Sequence, residues 1–352
     1  VPAKTTTIPA RTRKQNHEPV DDLHARLSEK VVGQSAAIDA IVPYVQIYQA
    51  GLAPEGRPVG VFLLLGPTGT GKTKTVEALA EVLHGSAKNL LKVDCGEFQM
   101  EHEVAKLIGA PPGYLGHRET QPMLTQMKLN SVTSEQSSLS IVLFDEIEKA
   151  APSMTRLMMG ILDKATLRLG DNTSVNFERS VIFMTSNLGA RSMLRELAPS
   201  FGFESGVAKE HADRGRKLSS IGLEAVRKQF SPEFVNRIDT VVTYQPLGSQ
   251  EMAAILDQHL EELQRHIVTR LGPRGFELTV EEECRRQLLR QGTSLEYGAR
   301  ELKRTIHRRL TQPLAVMLSR GEIEAGSRVS VAYDEPLDDF RFRTDKAACA
   351  AA

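Results

Sequence analysis

Cysteine is scarce: Cys95, Cys284 and Cys349 are the only three in 352 residues, and they stand far apart with no C-x-x-C pair. That spacing excludes a disulfide framework and a structural zinc site, and it suits a reducing, cytoplasmic compartment. An excess of either charge is also missing. Lys plus Arg and Asp plus Glu both number 44, so no global field draws the chain to nucleic acid or to an anionic membrane, and neither is expected as a partner. No apolar run approaches the roughly 20 residues that span a bilayer. The N-terminus lacks the basic-then-apolar layout of a signal peptide. Nine histidines are scattered without an H-E-x-x-H, so they read as surface or core residues.

What is there is enough chain for two cores. Residues 1–20 are polar and basic and read as a flexible arm, with adaptor binding as the alternative. Apolar stretches at Val59 to Leu65, Leu90 to Cys95, Leu139 to Phe144, Ser180 to Thr185 and Thr240 to Tyr244 read as strands, most of them separated by helical segments. Alternation of this kind predicts an α/β domain over 21–245, with five parallel strands covered on both faces. After Pro246 the texture changes. Glu251 to Arg270, about Thr279 to Gln291, and about Ala299 to Ser319 read as helices, with a short strand at Val329 to Tyr333. A smaller, mostly helical domain over 246–335 is expected, then a tail over 336–352.

The octet Gly66-Pro67-Thr68-Gly69-Thr70-Gly71-Lys72-Thr73 fits the phosphate-loop pattern G-x-x-x-x-G-K-[ST]. Glycines let successive backbone N–H groups turn inward around phosphate oxygens. Lys72 can reach the β- and γ-phosphates, and Thr73 can offer its hydroxyl to Mg²⁺. The apolar strand before the octet and the helical spacing of Val76, Leu79, Ala80 and Leu83 after it supply the strand–loop–helix context that binds phosphate. Farther on, Ile141 to Phe144 ends in Asp145-Glu146. At the same sheet edge the first acid can hold Mg²⁺ and the second can deprotonate a water.

Seven motifs in order then carry a resemblance: Val31-Val32-Gly33-Gln34, GPTGTGKT, GAPPGYLG at 109–116, LFDEIEKA at 143–150, MTSNLGA at 184–190, PEFVNRID at 232–239 and GAREL at 298–302. Over about residues 21–335 the chain resembles the Clp family of AAA+ protein unfoldases, in particular the second ATPase module of two-ring members and the small domain behind it. The resemblance implies a P-loop AAA+ three-layer sandwich with a helical C-terminal lid. It implies ATP and Mg²⁺, with Thr73 and Asp145 on the metal, Glu146 as the base, and Val31 and Val32 against adenine. Asn187 would be the first sensor and Arg300 the second. Arg237 would be a finger that completes the neighbouring subunit's site, which requires an oligomer; six subunits in a ring are implied.

Tyr114 and Leu115 match the pore loop that grips an extended polypeptide, so protein clients are expected. The implied function is an ATP-driven, ring-forming unfoldase or chaperone; an ATP-gated remodelling module that does not thread is the alternative. Phe201-Gly202-Phe203 sits where protease-coupled members carry a docking tip, which offers a peptidase ring as a further partner or else a locally packed loop. The chain departs from the family at His117 to Pro122, at the Ser-rich stretch Ser131 to Ser140, and at Ser231. The first ring and globular N-terminal domain of two-ring members have no counterpart in these residues, so client recognition falls to the arm, the pore or regions outside the chain.

Overall fold

The computed structural model describes residues 20–109, 122–197, 207–294 and 297–345. Tyr114, Leu115 and Phe201-Gly202-Phe203 lie outside them.

Three strands are buried along their whole length except at one half-buried tip, Asp145: β1 (Gly60–Leu65), β3 (Ser140–Asp145) and β6 (Ser180–Ser186). A strand buried on both faces must be apolar throughout, and GVFLLL, SIVLFD and SVIFMTS are close to that. Edge strands β2 (Leu91–Asp94) and β7 (Thr240–Thr243) are only half-buried. The order is β2-β3-β6-β1-β7, and every pairing is parallel. The five strands expected from the sequence are these five, each within a residue of its bounds.

Because side chains alternate along a strand, successive residues feed two cores. Val61, Leu63, Leu65, Val142 and Phe144 face one side, where Met154, Met158 and Ile161 of the helix Pro152–Lys164 cover them. Phe62, Leu64, Ile141, Leu143 and Phe183 face the other, under helices Val20–Lys30, Ser35–Gln49 and Lys72–His84. Phe62 anchors that second core, with its ring 4.9 Å from Tyr44 and 5.2 Å from Phe183. A two-stranded ribbon not anticipated from sequence, β4 (Thr166–Arg168) with β5 (Ser174–Asn176), buries Leu167 and Val175 in the first of these cores. Its turn donates from the Gly170 N–H to the Ile108 carbonyl at 2.8 Å.

The second lobe begins after Gly248 with the helix Ser249–Leu271. Two expectations are corrected here. The helix read over Thr279 to Gln291 starts only at Glu282, because Phe276 to Val280 alternates inward and outward with period two and forms β8 (Glu277–Val280). The tail read from 336 contains β10 (Asp339–Asp345), which pairs antiparallel with β9 (Arg328–Asp334). Phe340 from it is buried in the lobe's core with Leu256, Leu288, Leu302 and Val331. A sheet of order β10-β9-β8 therefore backs the helices. The helix expected over Ala299 to Ser319 is continuous in path, but it widens to a π turn over His307–Thr311. Pro313 stands two residues beyond it, and its ring cannot accommodate a regular turn before it.

Candidate functional site

Parallel pairing brings the carboxyl ends of β1, β3 and β6 to one edge, Leu65 lying beside Ser186 and Phe144 beside Met184. The loop leaving β1 turns at Gly66, where φ is 144° and an added Cβ would stand 2.9 Å from the Tyr244 carbonyl. Thr70 Oγ1 donates to the Pro67 carbonyl at 2.9 Å and tightens the loop. The helix Lys72–His84 then points its free first-turn N–H groups at the same space, the geometry that favours an anion.

Lys72 is nearly buried. Its Nζ donates to the carbonyls of Gly66 (2.7 Å) and Pro67 (2.8 Å) and to Asn187 Oδ1 (3.0 Å). Burial lowers its pKa to about 8, with Arg300 adding to the effect and Glu148, Asp145 and Glu146 opposing it. Asp145 closes β3. Burial alone would raise this carboxyl, but hydrogen bonds from Lys92 and Thr185 and the charges of Lys92 and Lys72 hold it below the ordinary carboxylate range. Thr185 Oγ1 donates to Asp145 Oδ1 at 2.5 Å, Thr73 Oγ1 at 3.5 Å, and Lys92 Nζ sits 2.7 Å from Oδ2.

Glu146 follows in the left-handed region, φ 56° and ψ 51°, a conformation an L-residue keeps only where its surroundings impose it. Here its N–H donates to Thr185 Oγ1 at 3.0 Å. Its carboxylate receives Lys149 Nζ at 2.5 Å and Asn187 Nδ2 at 3.4 Å. Asn187 thus touches both Glu146 and Lys72. Its own N–H is held by Glu148 Oε1 at 3.0 Å.

Lys72, Thr73, Asp145, Glu146, Thr185 and Asn187 line a cavity of about 670 Å³ between the lobes. From the large lobe come Thr68 to Thr73, Asp145, Glu146 and Asn187, with Val31 and Val32 on another wall. The linker contributes Leu247, and the second lobe Ile255, His259, Arg300 and Lys303. Arg300 reaches the cavity because Gly298 and Ala299 lie directly on the phosphate loop: the Ala299 N–H donates to the Gly69 carbonyl at 3.1 Å. A Cβ on Gly69 would sit 2.1 Å from the Tyr297 carbonyl, so only glycine permits this contact.

Arg237 is not brought into the cavity. Its Nη1 donates to the Glu233 carbonyl at 2.7 Å, and its Nε lies 3.6 Å from Asp163. Sequence reasoning missed Thr185, Lys92 and His259. Thr185 stands inside the quoted MTSNLGA motif, two residues before Asn187, and is the one with a local signal. The other two reach the site from β2 and from the second lobe, and nothing near them in sequence marks them.

Among the described residues no cluster of three or more His, Cys, Asp or Glu could hold a metal ion unaided. A hydroxyl and a carboxylate beside a phosphate loop nevertheless fit Mg²⁺, a hard cation that takes one or two protein oxygens and completes its shell with substrate phosphate and water. No described helix is long and apolar enough to cross a membrane.

Residues 57–241 match the family model of the AAA domain (Cdc48 subfamily), and residues 247–331 match that of the C-terminal, D2-small domain of ClpB protein. The chaperone protein ClpB of Aquifex aeolicus is 36% identical over 95% of this chain and 32% of its own length. That of Agrobacterium fabrum is 38% identical over 87% of this chain and 32% of its own. The chain thus spans about a third of the length of these curated relatives. A closed-state Hsp104 reconstruction with ATPγS and FITC casein superposes with a TM-score of 0.76 at 29% identity, covering 92% of this chain and 51% of that one. The S. cerevisiae Hsp104:casein complex in its extended conformation gives 0.77 at 28% identity, covering 92% of this chain and 52% of that one. With one family model matching more than half of its residues and the second completing the other lobe, the chain belongs to the AAA+ family, as a Clp-type second ATPase module with its small C-terminal domain.

Proposed function

We propose that this chain hydrolyses ATP within a ring, six-membered as in the resemblance, and uses the turnover to pull polypeptide through a central pore. The observation that carries the ATPase reading is the convergence of Lys72, Thr73, Asp145, Glu146, Asn187 and Arg300 on one cavity from both lobes. Loop N–H groups and Lys72 hold the phosphates, and Val31 and Val32 supply an apolar wall for the base. Thr73 and Asp145 would hold Mg²⁺, which neutralises charge on the β- and γ-phosphates when bound. Glu146 takes the proton from the attacking water; Lys149 and Asn187 orient its carboxylate. Asn187 joins that base to Lys72, so loss of the γ-phosphate is felt at both. Arg300 reports the same event to the second lobe.

Arg237 acts on the next subunit's nucleotide. The position of its guanidinium outside its own cavity supports that reading. A cytoplasmic setting accompanies the proposal, supported by the free, buried thiols of Cys95 and Cys284. Threading rests on the Tyr114-Leu115 motif and on the likeness to Hsp104 structures that hold casein. The test compares wild type with Tyr114→Ala for ATP turnover and for unfolding of a tagged, folded fluorescent client. Threading requires that the variant hydrolyse ATP at near the wild-type rate while losing most unfolding. Wild-type unfolding by Tyr114→Ala would leave the non-threading remodelling module as the better reading.

A further inference from the structure

Gln34 ends the Val31-Val32-Gly33-Gln34 motif, yet the nucleotide site as described uses only the two valines. Its side chain is 5% exposed and fully engaged with main chain. Nε2 donates to the Thr70 carbonyl at 3.0 Å and to the Gln245 carbonyl at 2.8 Å, while Oε1 accepts from the Gln245 N–H at 3.2 Å. An amide is the group for this task. It offers two donors and an acceptor on one rigid plane, and turning it over would set its oxygen against two carbonyls.

The three places so tied have different jobs. Thr70 is in the phosphate loop, next to Gly69, whose carbonyl accepts from the second lobe's Ala299. Gln245 follows β7 and begins the linker to the second lobe. Gly33, just before Gln34, packs on the first turn of that lobe's long helix, where an added Cβ would meet Glu251 Cγ at 2.6 Å. Two adjacent loop carbonyls therefore lead to the second lobe by separate routes, one through its turn at 298–299 and one through Gln34 to the linker.

We infer that Gln34 is a positioning residue that couples the shape of the phosphate loop to the interlobe linker, and so sets the angle of the second lobe to the state of the nucleotide. This rests on the reading of the cavity as a nucleotide site. When phosphate draws the loop amides inward, the Thr70 carbonyl turns with its peptide plane. The amide plane of Gln34 passes that rotation to both the N–H and the carbonyl of Gln245. An aliphatic side chain could fill the space but could not transmit a direction.

The test uses the 352-residue chain with dyes at the exposed positions Lys88 and Arg308, one on each lobe. Gln34→Ala, Gln34→Glu and a packing control, Ile38→Val in the adjacent helix, are each titrated with fluorescent ADP and with ATPγS. Wild type should bind both and shift its interlobe distance. Gln34→Ala and the isosteric Gln34→Glu, which has no donor for two carbonyls, should bind about tenfold more weakly and lose the nucleotide-dependent shift. Ile38→Val should lower the melting temperature yet keep the shift. If both Gln34 variants melt earlier but bind and shift like wild type, Gln34 is packing alone and the inference falls. Absence of nucleotide binding by wild type would instead overturn the reading of the cavity, and the inference with it.

Discussion

Lys72 sits among two carbonyls and an amide oxygen, largely desolvated and surrounded by three carboxylates, and its pKa of about 8 is the balance of those influences. Phosphate favours the charged form, so binding should draw a proton onto the protein near pH 8 to 9 and affinity should fall as pH rises above 8. Isothermal titration in buffers of different ionisation enthalpy measures this directly, and zero proton uptake at pH 8.5 would contradict it. The sign for stability is opposite. Unfolded lysine titrates near 10.5, so the burial cost is present in full below pH 8 and is relieved as pH climbs from 8 towards 10.5. Lys72, Thr73, Asp145, Glu146 and Asn187 could be picked out as candidates because each stands at or beside the end of an element whose pattern is local. Gln34 and Thr185 were not assigned roles, since what they do depends on partners 36 to 211 residues away along the chain.

At the scale of elements, burial decides what the sequence shows. Strands β1, β3 and β6 were plain because a doubly covered strand tolerates little but apolar residues. The second lobe's sheet was obscured by its charge: β10 reads DFRFRTD, with only Phe340 buried and Phe342 partly so. Phe340 nevertheless packs 5.9 Å from Tyr333, with the Arg309 guanidinium 5.7 Å from its ring centre. Phe340→Ala should therefore destabilise the second lobe by about 3 kcal/mol, as buried aromatic truncations do. Urea unfolding followed by amide exchange in residues 282–292 would show it. An unchanged midpoint would return residues 339–345 to the role of a tail. The ribbon β4–β5 escaped notice because three-residue strands carry too few alternations to register.

For the whole molecule the central matter is that one cavity is built by two lobes and, on the present reading, completed by a third surface from the next subunit. Arg237 in trans makes a specific demand. Arg237→Ala and Glu146→Gln rings should each be nearly inactive, the finger being worth about 10³-fold or more. Mixed together, they should regain part of the wild-type rate, because an intact Glu146 then faces an intact Arg237 across some interfaces. Mixtures no more active than their components would place the arginine's role within its own chain. The domain pair was legible from the change of texture after Pro246. The direct seating of Gly298 and Ala299 on Gly69 was not, because backbone contact between lobes leaves only glycines as its trace. The most direct test of the account is the ATP turnover of Glu146→Gln measured beside its ATP affinity. The account predicts affinity within a few-fold of wild type and turnover lower by about 10²- to 10⁴-fold, the range for loss of a general base. Wild-type turnover in that variant would contradict it.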